Sequence, residues 1–287
     1  MKEELIRIKI DAKNHIALWK RTTEKCLDNK HILFTHGTFS SRKVFNAITD
    51  FLTNQGFTCW VFEWRNHGDS SKMKHLFNFE TIGKEDFKLI FNYLFDEVKI
   101  EKLSCITHSG GGICLTIALI NYPKFKSKIN CITMFACQGF GAAVSTSNYI
   151  KICMSRLGSK LLGYTPAKAL GRETNETYYL MKQWFDWNLT GRFYGENGIN
   201  YQSQMPDIKT PIFSIYGKGD TFVAPKEGCE LFLSSFDNPL NKALFCSKAA
   251  GFLEDYNHSR VLHSRSASKE IYPFVLDWLD KNKTKKK

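Results

Sequence analysis

Ser109 lies in the run Thr107-His108-Ser109-Gly110-Gly111-Gly112-Ile113, between one apolar stretch (Leu103, Cys105, Ile106) and another (Ile113 to Leu119). A serine hydroxyl turns nucleophilic when a neighbouring base takes its proton. A strand ending at Thr107 and a helix starting near Gly110 would set Ser109 on the tight turn between them. Such a turn imposes strained backbone angles on its central residue and crowds strand against helix, so glycines are needed beside it. The hydroxyl then projects at the head of a helix, where the partial positive charge favours a developing anion. The chemistry this serves is attack on an acyl group.

The elements that must hold such a turn are visible as short apolar runs separated by helical segments. Residues 31–35, 59–64, 102–107, 130–136 and 211–216 are continuous rather than alternating, which predicts strands buried on both faces of a mostly parallel sheet. Val44, Ile48, Phe51 and Leu52 form one helical stripe; Phe87, Ile90, Phe91, Leu94, Phe95 and Val98 form a second, and Ile271, Val275, Trp278 and Leu279 a third. These helices would flank the sheet. From Gln138 to Pro206 no strand is evident, and aromatic and amphipathic pieces accumulate instead. That segment is too long for a plain loop, so residues 1–137 and 207–287 are read as the core and 138–206 as a helical cap inserted over one sheet edge.

The chain resembles the α/β-hydrolase superfamily at the elbow, whose G-x-S-x-G pattern reads here Thr107-His108-Ser109-Gly110-Gly111, with threonine in place of the first glycine. It also resembles the superfamily's HG-x loop at His36-Gly37-Thr38-Phe39. A third match is Glu63-Trp64-Arg65-Asn66-His67-Gly68-Asp69-Ser70 against D-x-R-G-x-G-x-S, departing at Glu63 and Asn66. The resemblance implies the α/β-hydrolase fold and the chain order serine, acid, histidine. On that order Asp220, in the turn Gly217-Lys218-Gly219-Asp220, is the orienting acid, and His258, just before the final helix, is the base. It further implies an oxyanion hole made by the backbone N–H groups of Gly110 and Thr38, with Phe39 as the near alternative to Thr38. The cap stretch from Tyr178 to Trp187 is similar to the caps of bacterial hydrolases of the lysophospholipase-like and serine-aminopeptidase-like group.

The remaining titratable residues receive plainer readings. His108 packs and hydrogen-bonds within the elbow, His36 shapes its loop, and His67 and His75 are surface or turn residues; His263 is the rival base. Asp207 and Asp237 follow no confident strand, and Glu254 and Asp255 are solvated. Most cap aromatics pack the core, with Phe39, Trp184 and Trp187 the candidates for contact with an acyl chain.

Bulk properties limit the alternatives. The 43% of hydrophobic residues suffices for a large core, which excludes a disordered or fibrous chain. The net charge of +12 comes from basic residues spread along the sequence, dense only in Lys281 to Lys287. That distribution argues against a specific nucleic-acid site and reads as a solvated tail, with weak contact to anionic membranes as the minor reading. The nine cysteines include no C-x-x-C pair, so reduced buried thiols are expected rather than a metal ribbon or redox motif. An N-terminus that alternates charge with apolarity and the lack of a run near twenty apolar residues predict a soluble cytoplasmic protein.

The expected function is therefore cleavage of a carboxylic ester, lipid-like or otherwise acylated, through Ser109, His258 and Asp220, with no metal or organic cofactor. A serine at the elbow leaves thioesterase, acyltransferase and peptidase chemistry as alternatives on the same residues. A non-catalytic protein that binds lipid on an inactive hydrolase fold is the alternative from another class.

Overall fold

The structure, a computed structural model, describes residues 1–283. The last four residues of the Lys-rich tail lie outside the described residues. The chain opens with a hairpin not expected from sequence, β1 (Lys2–Lys9) and β2 (His15–Thr22), followed by β3 (His31–Thr35), β4 (Thr58–Glu63), β5 (Leu103–His108) and β6 (Ile129–Phe135). After the cap come β9 (Ile212–Gly217) and β10 (Lys242–Cys246); a two-stranded ladder within the cap contributes β7 (Tyr164–Thr165) and β8 (Glu176–Thr177). Eight strands form one sheet in the order β1-β2-β4-β3-β5-β6-β9-β10, in which the pairings of β2 with β1 and β4 are antiparallel and the others parallel.

Alternate residues of the inner strands enter two separate apolar clusters, one on each face. Leu33, Trp60, Phe62, Cys105 and Ile132 belong to one; Ile32, Phe34, Cys59, Val61 and Ile106 belong to the other. Burial on both sides is why these strands are apolar without alternation. The first face is covered by the helix Gly110–Asn121 and by a continuous helical stretch from Phe79 to Glu97. The second is covered by the helices Asn46–Asn54 and Tyr272–Lys281 through Ile48, Leu52, Val275, Trp278 and Leu279.

Between β6 and β9 the chain forms the helices Thr146–Leu162 and Tyr178–Thr190, with the β7–β8 ladder between them. This segment is mostly helical and has no separate core. Leu180, Trp184, Phe185, Phe193 and Tyr201 join the apolar cluster on the first face of the sheet. Buried Glu80 adds a polar tie, accepting from Tyr201 Oη at 2.6 Å, Gln183 Nε2 at 2.9 Å and the Glu196 N–H at 2.6 Å. Among the described residues no helix is long and apolar enough to cross a membrane.

Candidate active site

Ser109 sits between β5 and the helix Gly110–Asn121 at φ +53° and ψ −128°, a conformation costly for a side-chain-bearing residue and maintained only where the surroundings enforce it. Enforcement is visible on both sides of the residue: its N–H donates to Phe135 O at 2.9 Å, and the Cys137 thiol donates to its carbonyl at 2.8 Å. Each of the three glycines that follow faces a different close neighbour. A Cβ on Gly110 would lie 2.8 Å from the Phe79 ring, one on Gly111 2.5 Å from Thr35 O, and one on Gly112 2.5 Å from Cys137 Sγ. Thr107, fully buried, fits in place of a glycine because Gly112 leaves room; its Oγ1 would stand 3.1 Å from a Cβ at that position.

Asp220 and His258 come from the turns beyond β9 and β10 and meet at the head of the sheet. Asp220 Oδ2 lies 2.5 Å from His258 Nδ1, and Asp220 Oδ1 accepts from the Val223 N–H at 3.1 Å. The two turns can approach because Gly217 and Gly219 have no side chains. A Cβ there would lie 2.1 Å from Tyr256 O and 2.4 Å from Asp255 O respectively, and the Gly219 N–H donates to Tyr256 O at 2.8 Å. Burial opposes ionisation of Asp220, but the facing imidazole and the backbone N–H groups of Ala224 and Val223 outweigh it and hold the carboxyl below its ordinary range.

His108 is buried under the same site, its ring centroid 4.9 Å from that of His258. Its Nε2 donates to His258 O at 3.0 Å, while Nδ1 has no partner among the described residues. Burial and the neighbouring His258 push its pKa down to about 3, so its ring is neutral where it supports His258.

The loop after β3 closes on the elbow from the other side. A Cβ on Gly37 would lie 2.6 Å from Ser109 Cβ and 3.0 Å from the Gly110 nitrogen, so the backbone leading into Thr38 passes directly beside the elbow. Among the described residues the Thr38 N–H carries no hydrogen bond, whereas the Phe39 N–H, at φ +62°, donates to Glu176 Oε1 at 2.7 Å. The same oxygen accepts from His67 Nε2 at 2.7 Å, and His67 Nδ1 donates to Arg65 O at 2.9 Å. Both ring nitrogens thus face acceptors. Burial alone would lower the pKa of His67, but the Glu176 carboxylate and the Arg65 carbonyl raise it, which favours the doubly protonated ring. His67 is therefore no surface residue: it is buried, and with Glu176 it forms a buried ion pair between core and cap. His36 keeps the loop-shaping role expected of it, with Nδ1 donating to Gly37 O at 2.7 Å and Nε2 accepting from the Trp64 N–H at 3.2 Å.

These groups open onto one cavity of about 620 Å³, lined by Ser109, His258, Gly110, Thr38 and Phe39 together with apolar cap residues that include Met181, Trp184 and Phe185. Trp187 is a correction: it is not among the lining residues but packs in the core against Phe79 and Phe193, its Nε1 donating to Tyr194 O at 2.7 Å. His263 lines the cavity without contacting Asp220, which is bonded to His258. Ser109 and His258 line the same cavity without a hydrogen bond between them. All nine cysteines are free, and among the described residues no group of His, Cys, Asp and Glu side chains is placed to hold a metal ion.

The fold that brings these residues together is shared with known proteins. The family model described as alpha/beta hydrolase fold matches residues 30–139. The chain has the α/β-hydrolase fold. Among solved structures of this fold, the monoacylglycerol lipase of Paleococcus ferrophilus is similar at TM-score 0.66 and 15% identity, over 93% of this chain and 99% of that one. An esterase of Pyrococcus furiosus is similar at TM-score 0.66 and 18% identity, over 99% and 92% of the two chains. A curated relative named "Probable alcohol acetyltransferase", from Cyberlindnera fabianii, is 27% identical over 94 residues, which make up 32% of this chain and 24% of that protein. The match thus spans about a quarter of that relative's length. Within the α/β-hydrolase fold, Glu176 and His67 are the site-adjacent residues that sequence reasoning missed. Glu176 gave no local signal, and His67 gave only its place in the loop that begins at Glu63.

Proposed function

We propose that the protein is a serine hydrolase that cleaves a carboxylic ester with a lipid-like acyl chain. Ser109 attacks the acyl carbonyl while His258 takes its proton, and Asp220 fixes the imidazole and stabilises its charge. The N–H groups of Gly110 and Thr38 receive the oxyanion. His258 then protonates the departing alcohol, and water resolves the acyl-enzyme. The observation that carries the reading is the Asp220–His258 hydrogen bond opening onto the same largely apolar cavity as the strained Ser109 turn. An apolar cavity with a few polar groups at one end suits an acyl chain with its carbonyl at the serine.

The test is labelling of the purified protein with a fluorophosphonate, alongside Ser109→Ala and His258→Ala, followed by a p-nitrophenyl ester series. Labelling at Ser109 that both substitutions abolish is the expected result; absence of labelling in the folded protein would overturn the reading. Transfer of the acyl group to an alcohol instead of water is the second reading, favoured by the similarity to the protein named as an alcohol acetyltransferase. Adding a primary alcohol to the turnover mixture and measuring the new ester against the free acid separates the two.

A further inference from the structure

The cap carries an apolar surface that its own fold does not use. Of the sixteen large apolar side chains exposed among the described residues, eight fall between Val144 and Tyr164. On the helix Thr146–Leu162, Ile150, Met154, Leu157 and Leu161 follow at spacings of four, three and four, so they form one stripe along a single face. Their exposure rises to 68% at Met154 and 79% at Leu161. The other side of this helix faces inward: Ile152 and Ser159 are buried, and Ser155 and Ser159 line the cavity together with Gly158 on the flank and the half-exposed Leu162. One helix therefore roofs the site with one face and leaves an apolar stripe on the other.

The charge around the stripe identifies its partner. At about 100° of rotation per residue, Lys151 and Lys160 fall on its two flanks, and neither forms an ion pair among the described residues. From Gln138 to Arg172 there is no aspartate or glutamate, whereas Lys151, Arg156, Lys160, Lys168 and Arg172 are basic. Arg156 is neutralised by Asp186 at 2.9 Å. Tyr149 and Tyr164, both exposed, stand near the two ends of the helix, the placement amphipathic aromatics take at a membrane–water boundary. A second copy of the chain is a poor occupant. A twofold contact sets like surfaces together, so it would bring these lysines onto one another in a protein whose net charge is already +12.

We propose that the helix Thr146–Leu162 docks the protein on an anionic phospholipid surface, its apolar stripe entering the headgroup–acyl boundary and its lysines reaching the phosphates. The proposal rests on the reading of a lipid-like substrate, for docking brings the roof of the cavity onto the lipid. It also moves the membrane contact away from the C-terminal tail. There the described lysines are already paired, Lys281 with Asp277 at 2.6 Å and Lys283 with Asp280 at 3.3 Å.

The experiment is co-flotation of the full-length Ser109→Ala protein with phosphatidylcholine vesicles, with or without phosphatidylglycerol. Binding needs no turnover, so a failure of docking is distinct from a failure of the hydrolase reading, which the fluorophosphonate assay reports. The protein is expected to bind the anionic vesicles and to lose binding as salt rises. Replacing Ile150, Met154, Leu157 and Leu161 together with serine should weaken binding by at least about a hundredfold, since each side chain loses the gain from leaving water. Lys151→Gln and Lys160→Gln should each cost about fivefold. The four-serine protein changes exposed positions only, so it should keep its unfolding temperature and, with Ser109 restored, its turnover of a short soluble ester. No binding to anionic vesicles, equal binding by the four-serine protein, or a dimer that the four serines dissociate without any vesicle binding would each overturn the proposal.

Discussion

Glu176, on the cap, accepts a hydrogen bond from the Phe39 N–H at 2.7 Å, with the oxygen that also accepts from His67 Nε2. One carboxylate thereby joins the loop after β3, the loop after β4 and the cap. It also distinguishes two adjacent amides, because the Phe39 N–H is taken while the Thr38 N–H has no partner among the described residues, as the proposed oxyanion role requires. Glu176→Ala would strand a buried imidazolium and a buried N–H, which costs about 3–5 kcal/mol for the broken ion pair. A large fall in unfolding temperature is expected, with a loss in kcat/KM on a short soluble ester. Glu176→Gln keeps an acceptor for Phe39 and should retain most of that activity. If folded Glu176→Ala turned over the ester as fast as the parent, the clamp would have no bearing on the oxyanion loop.

Two groups shifted in opposite senses contribute to the pH dependence of stability. His67 is raised above its ordinary 6.5, so its contribution is complete below that value and is lost as pH rises through the higher folded value. Asp220 is lowered from 3.8, so its contribution is complete above that value and is lost as pH falls through the lower folded value. Unfolding temperature plotted against pH should show an alkaline decline that His67→Gln removes and an acid decline that Asp220→Asn reduces. An alkaline limb unchanged in His67→Gln would assign that decline to other groups.

Asp220→Asn tests the base more directly. The amide still bonds His258 but favours the wrong imidazole tautomer and no longer stabilises its charge, so kcat should fall by about 10⁴. A loss under tenfold would exclude Asp220 as the orienting acid.

Gly112 and Cys137 should behave as a coupled pair. Gly112→Ala puts a methyl group 2.5 Å from Cys137 Sγ, which over-packs the elbow and should cost about 1–3 kcal/mol. Cys137→Ala makes room, at the loss of the thiol's bond to Ser109 O. A double-mutant cycle on urea unfolding should therefore give a favourable coupling between the two alanines; strict additivity would show that the backbone, not the thiol, sets the limit.

Gly158 lines the cavity from the cap helix, and a Cβ there meets nothing within 4 Å. Gly158→Ala should therefore stabilise the helix by about 1 kcal/mol. Gly158→Phe should fill part of the cavity and shift the optimum of a p-nitrophenyl ester series to shorter chains. An unmoved optimum would mean that the acyl chain lies elsewhere in the cavity.

Much of this architecture can be read in the chain itself. Strands β3, β4, β5, β6 and β9 are largely apolar runs because both sheet faces are covered and leave only His31 and Asn130 partly exposed, and that pattern needs no partner to be recognised. The Ser109 elbow is equally local, since its strain and its glycines are neighbours in sequence. The hairpin β1–β2 and the edge strand β10 escaped because they are partly solvated, and charges such as Lys2, Glu3, Glu4 and Lys242 interrupt the apolar signal. What the tertiary structure alone decided was the set of distant partners. His67 and Glu176 are 109 residues apart, and nothing beside either one marks it as half of a buried ion pair. Trp184 reaches the cavity and Trp187, from the same helix, does not, because the helix's rotation against the sheet selects which ring faces inward. Local sequence sets backbone conformation and apolar periodicity; the pairing of buried charges and the facing of aromatic rings depend on how separately formed elements dock.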